Sequence, residues 1–371
     1  MNFDFGTVRS SFASEVRALV TPGPRMVDEF ACVASVLLAI VFAHLIGAQM
    51  VAWAAFSAFV LMKGDWRETM LRGVLRIVGT TAGAGLGLAI VPVASQSLPL
   101  AMLAAAIFGS IGLYGMLTAR RAYAWLLFGL TFEMVLLDKL EHPWLDTFEF
   151  ARTRLLEVVA GTVACVVVSV TVALLSRRNN AANPLQTAPR MHWHPGAARH
   201  VAQAAVALAL LPLLHRFAGI PELAQAGVTI LAVMIVPLAG ISGGGLVPVS
   251  RRLVHRVLGC LSGGAVAILI LIAAHGSTAA LVAGTCLGIV IGRHIENAGG
   301  RASYIGLQFT LAVLIVLVPD SYADVEIGPG LQRLVSILVG MAVLQPVLYA
   351  WHALSRREAG AKEAPPSGST E

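Results

Sequence analysis

The sequence predicts an all-α, polytopic membrane protein of about twelve transmembrane helices, arranged as two parallel-oriented repeats of six. Three observations carry this. Of its 371 residues, 57% are hydrophobic and only 12% charged, with a mean hydropathy of +0.79; soluble domains carry roughly 25% charge. Apolar runs bounded by charge, Gly or Pro recur along the chain. Segments of the first half return in the second at a spacing of 179 to 180 residues, as Arg72 and Arg252 or Arg154 and Arg333. This composition excludes an ordinary cytosolic enzyme and a disordered scaffold.

The chain opens on residues 1–27, where Phe5, Val8, Phe12, Val16 and Leu19 recur at helical spacing with Arg9 and Arg17 elsewhere on the wheel. That pattern suits an amphipathic helix on the cytoplasmic interface. A cleavable signal peptide is not expected, because no apolar core follows the first basic residues. The first membrane repeat (28–176) holds expected spans at 28–47, 48–62, 72–91, 98–117, 122–138 and 154–176. A polar linker, 177–198, follows. The second repeat (199–354) holds spans at 199–215, 222–241, 253–274, 277–292, 303–319 and 333–354, and residues 355–371 read as a disordered cytoplasmic tail. Spans 48–62 and 277–292 are short for a hydrocarbon core of ~30 Å. Either they borrow flanking residues or one hairpin is re-entrant.

Basic residues orient the bundle. With the N-terminus inside and each span crossing once, only Lys139, Arg152, Arg154, Arg216 and Arg333 of the 26 Lys and Arg fall outside. Cytoplasmic loops of membrane proteins carry such an excess of Lys and Arg. Acidic residues gather on the opposite side, with Asp138, Glu141, Asp146 and Glu149 in one loop and Asp320, Asp324 and Glu326 in another. Both termini are therefore expected in the cytoplasm. The net charge of +6 expresses this topology, and no nucleic-acid partner is expected.

The repeat is read from several elements. Arg72-Gly-Val-Leu-Arg76-Ile-Val-Gly79-Thr-Thr-Ala-Gly83 returns as Arg252-Leu-Val-His-Arg256-Val-Leu-Gly259-Cys-Leu-Ser-Gly263. Arg121 corresponds to Arg301, and Arg154 through Gly161 to Arg333 through Gly340. Six spans per half is an even number, so the halves share one orientation and a pseudo-twofold axis along the membrane normal is expected.

Glycines at four-residue spacing, Gly79, Gly83 and Gly87, Gly259 and Gly263, and Gly284, Gly288 and Gly292, let helix backbones approach closely and read as packing stripes. Arg72, Arg76, Arg121, Arg252, Arg256 and Arg301 are candidates for a cationic inner vestibule that concentrates anions. The alternative for Arg76 and Arg256 is snorkelling to the headgroups. Glu133 lies deep in the fifth span, where ionisable side chains are expensive and line pathways or relay protons; the alternative is that it reaches the outer interface. Glu157 follows Arg154 by one turn and is a second proton-coupling candidate or a structural ion-pair partner. In the second half Ala312 and Ser336 stand where Glu133 and Glu157 stand in the first.

No Ser-His-Asp set, phosphate loop, H-E-x-x-H helix or dinucleotide fingerprint occurs in a suitable context, so no enzyme and no cofactor is expected. His192-Trp193-His194 lacks accompanying metal ligands and reads as a loop. Cys32, Cys165, Cys260 and Cys286 lie in apolar runs and read as small core hydrophobes.

Trp53 in the second span, Arg76-x-x-Gly79-Thr80-x-x-Gly83, Arg121-x-Tyr123 and Arg154-x-x-Glu157-x-x-x-Gly161 together resemble the fusaric acid resistance family, the aromatic acid exporters of bacterial inner membranes. The resemblance covers the first half well and the second as a degenerate copy lacking counterparts to Trp53 and Glu157. It implies efflux of small aromatic or other organic acids, driven by the proton gradient. Expected partners are the lipid bilayer and small organic anions, with homodimerisation left open. Two alternatives stand beside it, a passive organic-anion channel and a non-transport assembly protein of the cell envelope.

Overall fold

The computed structural model describes residues 21, 23–175, 193–220, 223–241, 245–300, 302–320 and 328–363. Residues 1–20 and 22 of the expected amphipathic segment, most of the linker with His192, Arg301, and residues 364–371 lie outside these. Residues 24–27 instead open the first membrane helix, and the tail expected to be disordered from 355 is helical to Glu363. The described residues are helical, without strands. In chain order the helices are α1 (Pro24–Leu45), α2 (Val51–Leu61), α3 (Trp66–Ala94), α4 (Leu98–Thr118), α5 (Ala122–Glu141) and α6 (Thr147–Leu175). After the linker come α7 (Pro195–Ala218), α8 (Leu223–Val233), α9 (Leu246–Ala274), α10 (Thr278–Asn297), α11 (Ser303–Leu317) and α12 (Gly328–Glu363).

Local chemistry accounts for several boundaries. Pro24 and Pro195 open α1 and α7, where a missing N–H costs nothing. His194 Nδ1 accepts from the Ala197 N–H at 3.2 Å, and Ser277 Oγ accepts from the Ala280 N–H at 3.4 Å to cap α10. Gly219, at φ +58°, ends α7 in the left-handed conformation that favours glycine. Within α4 the chain widens into a π turn at Ala105–Gly109.

Eight of the described helices, α1, α3, α4, α6, α7, α9, α10 and part of α12, are long and apolar enough to cross a membrane. The multi-pass reading stands, but eight described helices rather than the expected twelve meet that requirement; α2, α5, α8 and α11 do not. The span expected to be short at 277–292 is a 20-residue helix that borrows Arg293 through Asn297. The short helices are α2 and α8, 11 residues each, or ~16 Å at 1.5 Å per residue, and α11 with 15 residues. The expected span 222–241 breaks after Val233 because Pro237 supplies no N–H; a 3₁₀ turn at Leu238–Gly240 follows.

The chain folds into two compact units. The first contains residues 1–80, 148–186 and 254–334, the second 81–147, 187–253 and 335–371. The first therefore holds α1, α2, the start of α3, α6, most of α9, α10 and α11. The second holds the rest of α3, α4, α5, α7, α8, the start of α9 and most of α12. Each unit takes the first, second and sixth helices of one half of the sequence and the third to fifth of the other. Compactness thus cuts across the sequence segments 28–176 and 199–354.

Equivalent contacts recur in both. In the first unit Gly161 lies against the Ala54 carbonyl and Ser57; in the second a Cβ on Gly340 would lie 2.6 Å from the Ala226 carbonyl oxygen. Gly263 meets the Phe309 carbonyl in the first unit, and Gly83 meets the Phe128 carbonyl and Thr131 in the second. Helices α3 and α9 are both 29 residues long. Their buried positions agree at Arg76 and Arg256, Gly79 and Gly259, Gly83 and Gly263, and Val91 and Leu271.

Candidate functional site

In the first unit, α2 has only 11 residues, and its ends present orphan backbone groups. Side chains from distant helices satisfy them. At the N-terminus the Met50 N–H donates to Glu157 Oε1 at 3.0 Å and the Val51 N–H to Asp320 Oδ1 at 3.1 Å. Glu157 is fully buried and lies 3.3 Å from Arg154 Nη1; Asp320 lies 3.5 Å from Arg333 Nη2. The Arg154 guanidinium sits 4.6 Å from the Trp53 ring centre and 5.3 Å from that of Phe150. Carboxylates at this end complement the helix dipole.

The other end of α2 carries the opposite sign. Arg293 Nη2 donates to the Met62 carbonyl at 3.1 Å, while the same guanidinium holds Asp28 through Nε at 2.7 Å and Nη2 at 3.1 Å. Arg293 also reaches Glu296 at 3.1 Å, Asn297 donates to Asp28 at 2.9 Å, and His294 Nδ1 lies 2.7 Å from Glu29 Oε1. Sequence reasoning did not single out Asp28, Glu29, Arg293, His294, Glu296 or Asp320 as site residues. The signal was absent: Asp28 and Arg293 are 265 positions apart, and no local spacing announces such a pair.

In the second unit, Glu133 has no ion-pair partner among the described residues and faces the Gly109 backbone. It is fully buried, and neither carboxylate oxygen has a hydrogen-bond partner among the described residues. Its Oε1 faces the π turn of α4, where a Cβ on Gly109 would lie 2.6 Å away. Leu208 of α7 abuts Gly109, and Gly227 of α8 faces the Glu133 Cβ. The expectation that Glu133 lies deep in its span thus has a structural setting. A π turn is an uncommon local widening that recurs at functional positions. An unpartnered buried carboxyl is expensive to maintain. Four helices therefore meet at one costly group.

The arginines expected to line a vestibule are used individually. Arg72 pairs with Glu68 at 2.8 Å on an accessible face. Arg256 is buried and donates to Gln308 Oε1 at 2.7 Å. Arg76 is likewise buried. Arg252 Nε donates to the Ala232 carbonyl at 3.2 Å, capping the C-terminal turn of α8 much as Arg293 caps α2. Arg121 is exposed at the N-cap of α5. Arg72, Arg76 and Arg256 belong to the first unit, Arg121 and Arg252 to the second.

The glycine stripes meet neighbouring helices. Gly87 faces Val135, Gly259 faces Gln308 and the Ile305 carbonyl, Gly284 faces Ile270, Gly288 faces Val313, and Gly292 faces Thr310 and the Gly306 carbonyl. Gly79 is buried.

Comparison with known proteins adds one match. Residues 30–203 match the model of the fusaric acid resistance protein family. This segment runs from α1 into α7, and so includes Glu133 and the α2–α6 contacts. Neither the curated proteins nor the solved structures provided a match.

Proposed function

Taking the match of residues 30–203 to the fusaric acid resistance protein family as a premise, we propose that the chain is a secondary transporter of the bacterial inner membrane. It exports small organic acids, aromatic ones among them, in exchange for protons, with both termini in the cytoplasm. The observation that carries the proton step is Glu133: fully buried, without a hydrogen-bond partner among the described residues, and set against a π turn. A carboxyl that can gain or lose a proton, next to a helix segment with a second hydrogen-bond register available, has the parts of a coupling device. The two parallel repeats are supported by the equivalent contacts of Gly161 and Gly340 and of Gly83 and Gly263. They are supported too by the matched helix ordinals of the two units. The buried ion pairs around Glu157 favour a framework role for it over proton carriage.

The test is flux in proteoliposomes with benzoate as the probe acid. An imposed pH gradient drives uptake into inside-out vesicles, and Glu133→Gln abolishes that component while leaving benzoate counterflow intact. Flux that ignores both Glu133→Gln and collapse of the pH gradient, yet follows the membrane potential, replaces the exporter with a passive anion channel. Outward movement of one anion is favourable by about 2.3 kcal/mol per 100 mV, so a channel needs no carboxylate. Absence of any flux across a panel of weak acids overturns transport altogether.

A further inference from the structure

Where α1 begins, α2 ends and α3 begins, the first unit encloses a cavity of about 90 Å³ lined by Pro24, Asp28, Lys63, Trp66 and Ser169 among others. Val27, Ala31 and Val172 line this cavity and also wall an apolar groove of about 440 Å³ between α1 and α6, bounded further by Met26, Phe30, Ala34 and Val168. A half-open cavity that carries Asp28, Lys63 and Ser169 thus adjoins a trough whose one polar lining residue is Thr171.

Lys63 is the group the fold leaves unused. It forms no ion pair with any described residue. The carboxylates around it are already engaged: Asp28 with Arg293 and Asn297, Glu296 with Arg293, and Glu68 with Arg72. Burial draws the Lys63 ammonium below the ordinary lysine pKa, with the Glu296 charge opposing. A half-buried lysine that meets no anion at contact distance is incompletely compensated. Trp66, beside it, carries the Arg67 guanidinium 5.5 Å from its ring centre, so a second cation stands at the rim.

We propose that this cavity and groove hold one anionic phospholipid, its phosphate on Lys63 beside Trp66 and its upper acyl chain along the α1–α6 groove. The chemistry of each part selects the ligand. From Met26 to Ala34 the groove wall follows α1 for ~12 Å, most of the ~15 Å depth of one leaflet's hydrocarbon. Apart from Thr171, whose hydroxyl already donates to the Val167 carbonyl at 2.8 Å, its walls are apolar and suit an acyl chain rather than a hydrophilic ion. A zwitterionic headgroup brings its own cation to a place where Lys63 and Arg67 already stand; an anionic one does not. Tryptophan and lysine at a helix boundary are the side chains that suit the headgroup layer. The bound lipid lies beside Asp28, which holds Arg293 and through it the C-terminal end of α2.

Native mass spectrometry of the full chain, released from mixed micelles of phosphatidylglycerol and phosphatidylcholine with matched acyl chains, tests this. One phosphatidylglycerol adduct is retained in preference to phosphatidylcholine. Lys63→Gln lowers that preference by about fivefold, the factor for about 1 kcal/mol per lysine near an anionic surface; Lys63→Arg preserves it. Ala34→Trp, which fills the groove, removes the adduct with Lys63 intact. Millimolar inorganic phosphate leaves the adduct in place. Equal retention of the two lipids, an unchanged preference in a monodisperse Lys63→Gln protein, or displacement by inorganic phosphate overturns the assignment. The outcome is independent of the flux measurements with Glu133→Gln.

Discussion

The two compact units draw on the same six helix positions but treat charge in opposite ways. In the first, Glu157 is bonded to the Met50 N–H and faced by Arg154, and Arg293 is shared among Asp28, Glu296 and the Met62 carbonyl. In the second, Glu133 has no hydrogen-bond partner among the described residues. At the equivalent positions the charges are missing: Ala312 occupies the Glu133 position in α11, and Ser336 the Glu157 position in α12. Both helices α2 and α8 are short, and both receive a guanidinium at the C-terminal end. Only α2 is seen to receive carboxylates at its N-terminal end, since residues 221–222 lie outside the described set. The lesson is physical. A compensated charge holds a half-helix in place and resists change, because breaking it strands the partner. An uncompensated one can change protonation without dismantling anything else. The two units share similar helix contacts, but one buries paired charges and the other a carboxyl without an ion-pair partner among the described residues.

Substitutions that abolish the common architecture should have the largest effect. Gly83→Leu in the second unit and Gly263→Leu in the first place a side chain against the carbonyls of Phe128 and Phe309. Both should remove monodisperse protein in fluorescence-detected size exclusion. Gly85→Leu, where a Cβ meets nothing within 4 Å, should behave as the parent. Comparable yields for all three would mean that the glycine contacts do not set the packing.

The ionic framework comes next. Arg293→Ala strands Asp28 and Glu296 and uncaps α2, so a destabilisation of about 3–5 kcal/mol is expected, the range for breaking one side of a buried pair. Thermal unfolding in detergent measures it. Arg154→Ala should fall in the same range, because Glu157 is fully buried beside it. Losses no larger than those of the accessible Arg72–Glu68 pair would deny the framework role. Arg252→Ala removes a single charge-assisted bond to the Ala232 carbonyl and should cost less, about 1.5 kcal/mol.

The smallest effect on stability is expected at Glu133, the group proposed to carry the proton. Glu133→Gln removes no observed hydrogen bond or ion pair, so the melting temperature should not fall. Glu157→Gln should lower it, since the charge facing Arg154 is lost. Equal destabilisation by the two glutamine variants would erase the distinction between the units.

Much of this was legible in the residues. Runs of apolar side chains predicted the membrane helices, and the Arg72-to-Gly83 and Arg252-to-Gly263 segments predicted two helices that match in length and burial. Glu133 stood out because a carboxyl within an apolar run is conspicuous in one dimension. The arginine vestibule was less well founded. Arg256 and Arg252 have specific acceptors in Gln308 and the Ala232 carbonyl, and those acceptors are invisible to a reading of charge along the chain.

Composition and hydrophobic period determined that this protein is helical, lies in the membrane and carries an acid, Glu133, within the apolar run of its fifth helix. These are properties of neighbouring residues, set by helix geometry and by the cost of placing polar groups in hydrocarbon. The tertiary structure decided which helices form each unit, where α2 and α8 stop, and that Asp28, Arg293, Glu157 and Asp320 meet at the ends of α2. An apolar segment looks the same whether it is a helix of 11 residues or a crossing of 20. The partners that complete a short helix come from wherever packing brings them, 107 to 269 positions away in this chain.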